Sequence, residues 1–265
     1  MKREAPQRLQ AEPHRRALSS PAWAARWQGL MARLHLVGPG EDAQLLADLA
    51  APPPAVRVLA FANAHAFNLA AHSPGFTADL AAADVLLRDG SGLAHLLRSC
   101  GHAPGLNMNG TDFIPRLLRA CNGRPLAVLG TREPQLGRGV RRIARALMPG
   151  STVLALDGFQ PEARYLEFLA RHQPAIVLLA MGMPRQEQLA QRLRRELNFP
   201  CLVICGGAIV DFLGGGVRRA PAPLRRLGLE WLWRLALEPR RLFKRYVIGN
   251  PLFLVRTAWL ARQQA

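Results

Sequence analysis

Six short apolar runs in this chain are each followed by glycines and polar side chains whose types could do chemistry. Asn63, His65 and Asn68 come after Val56–Phe61, Asp89-Gly90-Ser91-Gly92 after Val85–Leu87, and Gly130-Thr131-Arg132 after Leu126–Leu129. Asp157-Gly158-Phe159 follows Val153–Leu156, Gly182 through Glu187 follows Ala175–Ala180, and Gly206-Gly207 with Asp211 follows Cys201–Cys205. Glycines let a backbone approach phosphate and leave N–H groups to bind it, so such an edge suits a ligand like a nucleotide sugar. Asp89 sits just past an apolar run, where its carboxylate could take a proton from an attacking hydroxyl. Asp-Gly is also a common turn dipeptide, so a purely structural role stands beside that one. Asn107-Met108-Asn109-Gly110-Thr111-Asp112 precedes an apolar helix. Thr111 or Asp112 could cap it, and its N-terminus would attract phosphate or sugar oxygens.

Equally informative is what the chain lacks. It has no Asp-x-Asp pair to hold a divalent ion on a diphosphate, no Gly-x-Gly-x-x-Gly after a strand and no Walker loop. His14, His35, His65, His72, His95, His102 and His172 fall at no metal-ligand spacing. Neither a metal nor a cofactor is expected. Positive charge from elsewhere must then meet any diphosphate.

The runs are short, and amphipathic stretches separate them. That rhythm predicts βα units around a mostly parallel sheet with helices on both faces, a Rossmann-like α/β body. Helices are expected over Pro115–Cys121, Gly137–Leu147, Pro161–Arg171 and Gln186–Leu197. Residues 1–28 read as a loose extension in which Trp23 and Trp27 could share one face of a short helix. The division expected is an N-terminal extension over 1–33, a body over 34–216 and a basic helical appendage over 217–265.

The formal charge of +17 is uneven. Residues 1–33 carry seven basic and two acidic side chains, and residues 217–265 carry eleven and two, which leaves the body only +3. Only Lys2 and Lys244 are lysines; Arg forms bidentate pairs with phosphate. In the appendage, Arg240, Arg241, Lys244 and Arg245 are expected to share one helix face, with Leu242, Phe243, Tyr246 and Val247 on the other. Such a helix suits an anionic membrane surface or a diphosphate, and Pro251–Leu254 with Trp259-Leu260 would add an interfacial end. Nothing resembles a signal peptide or a spanning helix, and Cys100, Cys121, Cys201 and Cys205 read as reduced core thiols. The expected location is the cytoplasm, peripherally associated with the inner face of the cell membrane.

The order Gly206-Gly207-Ala208, Asp211-Phe212, Arg219-Ala220-Pro221, Gly228 through Leu235, Glu238-Pro239-Arg240-Arg241 and Arg245-Tyr246 follows no simple periodicity. Together with Asp89-Gly90-Ser91-Gly92, Asn109-Gly110-Thr111-Asp112 and Gly182 through Glu187, it resembles the WecG/TagA/CpsF bacterial glycosyltransferases across roughly residues 34 to 248. The resemblance implies inverting transfer of a sugar from a UDP-sugar to a polyprenyl-diphosphate-linked saccharide in cell-surface or exopolysaccharide synthesis. It implies Asp89 as the base and Gln186 near the substrate. Asn63, Asn109, Gly110, Thr111, Asp112 and Gly207 are the further substrate-binding candidates, and the appendage's charge adds Arg234 or Arg241 beside the diphosphate. Phe61 and His65, where many members have Thr-x-Asn-x-Glu, and Asn107, where an Arg is usual, depart from the pattern. They leave a glucosyl or uronic-acid donor as plausible as N-acetylmannosamine. The rival reading is a non-catalytic protein that binds a membrane surface or nucleic acid, although no nucleic-acid motif is present. The sequence leaves self-association open.

Overall fold

The structure, a computed structural model, describes residues 21–264; the first twenty residues of the expected extension, His14 among them, lie outside the described residues. The six apolar runs form six strands within a residue of their expected ends: β2 (Arg57–Ala62), β3 (Val85–Arg88), β4 (Leu126–Gly130), β5 (Val153–Leu156), β6 (Ile176–Ala180) and β7 (Leu202–Cys205). A two-residue strand, β1 (Leu34–His35), is too short to announce itself in the sequence. The order is β1-β3-β2-β7-β6-β4-β5, and every pairing is parallel. The chain is therefore the Rossmann-like α/β fold expected.

The inner strands β2, β3, β4, β6 and β7 bury both faces. Val58, Ala60 and Ala62 of β2 enter one core cluster while Leu59 and Phe61 enter the other, and β7 divides Val203 and Cys205 from Leu202 and Ile204 in the same way. A period of two with apolar residues on both sides is what helices on both faces demand. After β3 the chain crosses past β2 to build the other half of the sheet, and β7 closes the halves against β2. Such a reversal of strand order opens a crevice beyond the carboxyl ends of the strands.

Helix ends differ from expectation where a cap decides. The helix expected from Pro115 begins at Gly110, because Asn109 caps it by accepting from the Asp112 N–H at 3.0 Å; neither Thr111 nor Asp112 is the cap. The helix Gln135–Arg142 runs on into a π-helical turn, Ile143–Leu147.

The reading of residues 1–28 as loose is corrected over its described part. Ala22–Arg33 is a helix, and Trp27 is fully buried with its indole N–H donating to the Phe67 carbonyl at 2.7 Å. Trp27 packs beside Phe67 and Phe253, and Trp23 meets both Trp27 and Trp259 edge-on. The expected interfacial end is corrected in part by the same contacts, for Phe253 and Leu260 are buried while Leu252 and Leu254 stay exposed. On the last helix, Gly249–Gln264, Phe253, Thr257 and Leu260 recur at i, i+4 and i+7 and are all buried. The first and last helices thus share one core cluster with the sheet.

Trp27→Ala should lower stability by about 3–5 kcal/mol, read as a fall in the denaturant midpoint at unchanged slope. A shift below about 1 kcal/mol would mean that the Ala22–Arg33 helix is dispensable to the core.

Candidate active site

A cavity of about 560 Å³ opens at the carboxyl ends of β2, β3, β4, β6 and β7. Of the sequence-derived candidates, Asn63, Asp89, Gly110, Thr111, Gln186, Gly207, Arg234 and Arg241 line it. Asn109 and Asp112 do not. Asn109 donates to the Asp112 carboxylate at 3.0 Å besides capping the helix, and Asp112 pairs with Arg219 at 2.5 Å. Their observed work is to fix the helix start and to tie down the chain entering the tail.

Asp89 is positioned by the residue before it. Arg88, the last residue of β3, is buried and donates to the carbonyls of Pro104 at 2.8 Å, Gly90 at 2.8 Å and Gly105 at 3.1 Å. The turn after Asp89 and the loop at Pro104-Gly105 are thereby pinned to one guanidinium. The Asp89 N–H donates to Ala62 at 2.7 Å, and the Gly90 N–H to the Asn107 side chain at 2.8 Å. Asn107 therefore holds the Asp89 turn. Asn63 caps the helix Ala64–His72 through its oxygen and reaches the Asp89 carboxylate with its amide at 3.5 Å. Burial raises the Asp89 carboxyl above its ordinary value. Asn63, Arg245 and Arg234 pull it back down, and Glu230 pushes it up. Phe61 forms buried wall, and half-buried His65 is pushed down to about 4 by burial and then by Arg245.

Gln186 is buried, and its side-chain oxygen accepts from the Gly182 N–H at 3.2 Å and the Gly207 N–H at 2.9 Å. Both glycines hold positive φ, +80° and +58°, which a side chain would strain. The Gly206 N–H donates to Leu179 at 2.8 Å. The expectation that N–H groups around Gly206-Gly207 are free for phosphate is therefore corrected: the fold already uses them. Glu187, beside Gln186 in the first turn of the helix Arg185–Glu196, is 1% exposed and accepts from the Gln186 amide at 2.8 Å. Burial pushes its carboxyl up to about 7.

Positive charge comes from side chains. Arg132, Arg185, Arg234, Arg241 and Arg245 line the cavity against Asp89, Asp211 and Glu238. Arg234 stacks over Phe212, and Arg241 pairs with Glu238 at 2.5 and 2.7 Å. The expected division of tail faces is overturned. Arg241 and Arg245 turn into the cavity, Arg240 and Lys244 stay exposed with Phe243 and Val247, and Leu242 and Tyr246 are buried. Each pair, Arg241 with Arg245 and Arg240 with Lys244, keeps the i,i+4 spacing of one helix side, and a π-helical turn over Lys244–Ile248 follows. Sequence reasoning did not single out Thr131, Arg132, Arg185, Asp211 or Arg245 as site residues. Thr131 donates to Asp211 across the cavity, and Arg185 binds the carbonyls of Gly158 and Gln160 at 2.6 and 3.0 Å. Their signal was position after a strand, shared with many residues that do nothing.

Among the described residues no group of His, Cys, Asp and Glu is placed to hold a metal ion, and no helix is long and apolar enough to cross a membrane.

Residues 30–265 match the Glycosyl transferase WecG/TagA/CpsF family. The chain is also similar to an N-acetylglucosaminyldiphosphoundecaprenol N-acetyl-beta-D-mannosaminyltransferase of Bacillus spizizenii. The two are 29% identical over 177 residues, 65% of this chain and 68% of that protein.

Because the folded Glu187 carboxyl titrates near 7 rather than 4.5, the folded state binds the extra proton between those values. The resulting stability is complete below about 4.5 and is lost as pH rises through about 7. His65, held to about 4, gives the opposite slope below its ordinary value, so a variant difference is the measurement needed. Glu187→Gln should gain on the order of 3 kcal/mol over wild type between pH 5 and 8. A pH-independent difference would show that the buried carboxyl is not the titrating group.

Proposed function

The chain belongs to the WecG/TagA/CpsF glycosyl transferase family, and from that premise we propose that it moves a sugar, with inversion, from a UDP-sugar to a polyprenyl-diphosphate-linked saccharide. The observation that carries the proposal is one cavity that brings the half-buried Asp89 carboxylate together with the tail arginines Arg234, Arg241 and Arg245. The acceptor hydroxyl attacks the anomeric carbon, its proton passes to Asp89, and the bond from that carbon to the UDP oxygen breaks. UDP leaves with the negative charge, which the arginines stabilise. A base whose pKa is raised toward working pH suits the first role. The body over 34–216 supplies the base and the appendage over 217–265 the cations. Asn63, Gly110, Thr111, Gln186 and Gly207 shape the donor site around them.

The acceptor class is supported by the name of the Bacillus spizizenii relative, an N-acetylglucosaminyldiphosphoundecaprenol N-acetyl-beta-D-mannosaminyltransferase. Phe61, His65 and Asn107 leave the donor sugar open. Exposed Phe243, Val247 and Ile248 beside exposed Arg240 and Lys244 support peripheral attachment to the inner membrane face, where each basic residue adds about 1 kcal/mol. The product polymer belongs to the cell surface. Nucleic acid has no part in it.

Asp89→Asn should cut turnover about 10²–10⁴-fold while UDP binding holds. It should also abolish the acid limb of the pH–rate profile, which in wild type lies above the ordinary carboxylate range. Near-normal turnover in the folded variant would remove Asp89 as the base.

Activity of dialysed enzyme should survive EDTA, since the charge on the leaving diphosphate is met by arginine. A strict need for added Mg²⁺ or Mn²⁺ would contradict that. Deleting the tail is a poor test of its arginines, because Phe253 and Leu260 would leave the core.

A further inference from the structure

Gln186 and Glu187 begin the helix Arg185–Glu196 just after β6, and both are buried, at 2% and 1% exposure. We infer that Glu187 is a positioning residue: by accepting the Gln186 amide it aims that residue's carbonyl oxygen so that it clamps the turns after β6 and β7 together. The clamp consists of three hydrogen bonds, from Gly182 N–H at 3.2 Å and Gly207 N–H at 2.9 Å to Gln186 Oε1, and from Gln186 Nε2 to Glu187 Oε1 at 2.8 Å. Without a fixed acceptor on the far side, the amide could rotate by half a turn. Its NH₂ group would then face two N–H donors and leave both unpaired in a buried site, which is costly.

Glu187 is suited to prevent this because no charged donor competes for it. The charged and titratable groups acting on it are Asp79, from the helix Pro74–Ala81, and the Cys205 thiol at the end of β7. Neither is a cation. The thiol is directed to the Gln186 backbone carbonyl at 3.9 Å. Glu187 Oε2 has no hydrogen-bond partner among the described residues, so the carboxyl's one hydrogen bond to another side chain is the one it accepts from the amide. Ionised or neutral, it keeps an acceptor oxygen for Gln186, and so does a glutamine in its place. Gly182 and Gly207 both line the cavity, so the clamp sets the wall against which a donor would lie.

Only the effect on turnover rests on the proposed glycosyl transfer; the clamp can be tested without substrate. The experiment is backbone amide hydrogen exchange, followed by NMR on the full chain, in Glu187→Gln, Glu187→Met and Glu187→Ser. Met keeps volume without an acceptor, and Ser is too short to reach the amide. Exchange at Gly182 and Gly207 should quicken about tenfold or more in Met and Ser, stay within about threefold of wild type in Gln, and leave the amides of β6 and β7 unchanged. Turnover should fall by about 10–100-fold in Met, chiefly in kcat, with Gln restoring it. Wild-type exchange in the Met and Ser variants would overturn the inference. So would loss in Gln equal to that in Met, or a parallel rise throughout β6 and β7. A wild-type protein that transfers nothing from any UDP-sugar would defeat the functional reading, and the exchange result would still decide this one.

Discussion

A buried backbone N–H must find a partner, and at the edge of this sheet where a ligand would sit those partners are supplied by the protein. The N–H groups of Gly90, Gly158, Gly182, Gly206 and Gly207 go to Asn107, Thr131, Gln186, Leu179 and again Gln186. Gly158, Gly182, Gly206 and Gly207 line the cavity, where their backbones give close approach but no donor. At these four positions an anionic ligand has to be met by side chains, and the arginines of the tail line the same cavity. The basicity of the C-terminal region and the parallel sheet are in this sense one design.

That placement depends on packing far from the cavity. Trp23, Trp27, Phe67, Phe253 and Trp259 join the first and last helices of the described chain into one core. Asn68 adds a hydrogen bond to the Gly249 carbonyl at 2.7 Å and accepts from Arg256 at 3.1 Å. With the helix Gly249–Gln264 fixed, the turn before it carries Arg245 inward, one turn beyond Arg241. Glu238 then restrains Arg241 by a bidentate pair and lies 3.9 Å from Arg234. A ligand diphosphate would draw the arginines from this carboxylate.

The strands were legible because a doubly covered parallel strand must be apolar on both faces, and six such runs stood clear of their neighbours. The cavity was legible for the same reason, since its floor follows those runs, and Asp89 was found there. Three things were hidden. Arg88 ends an apolar strand as a charge, yet only the fold shows its guanidinium tying the Gly90 carbonyl of the Asp89 turn to the carbonyls of Pro104 and Gly105. The aromatic residues of the tail looked interfacial because their partners, Trp23 and Trp27, lie more than two hundred residues away. The basic face at 240–245 was divided between adjacent residues, because a helix turns about 100° per residue and only the side carrying Arg241 and Arg245 meets the cavity.

The central claim is that tail arginines hold the diphosphate of the donor in the cavity that contains Asp89. Calorimetric titration of UDP into wild type, Arg234→Ala and Arg241→Ala, with a uridine control, tests it most directly. The account predicts that each substitution weakens UDP about tenfold or more while uridine binding is unchanged, and that added salt narrows the difference. Equal UDP affinity in all three folded proteins would contradict it.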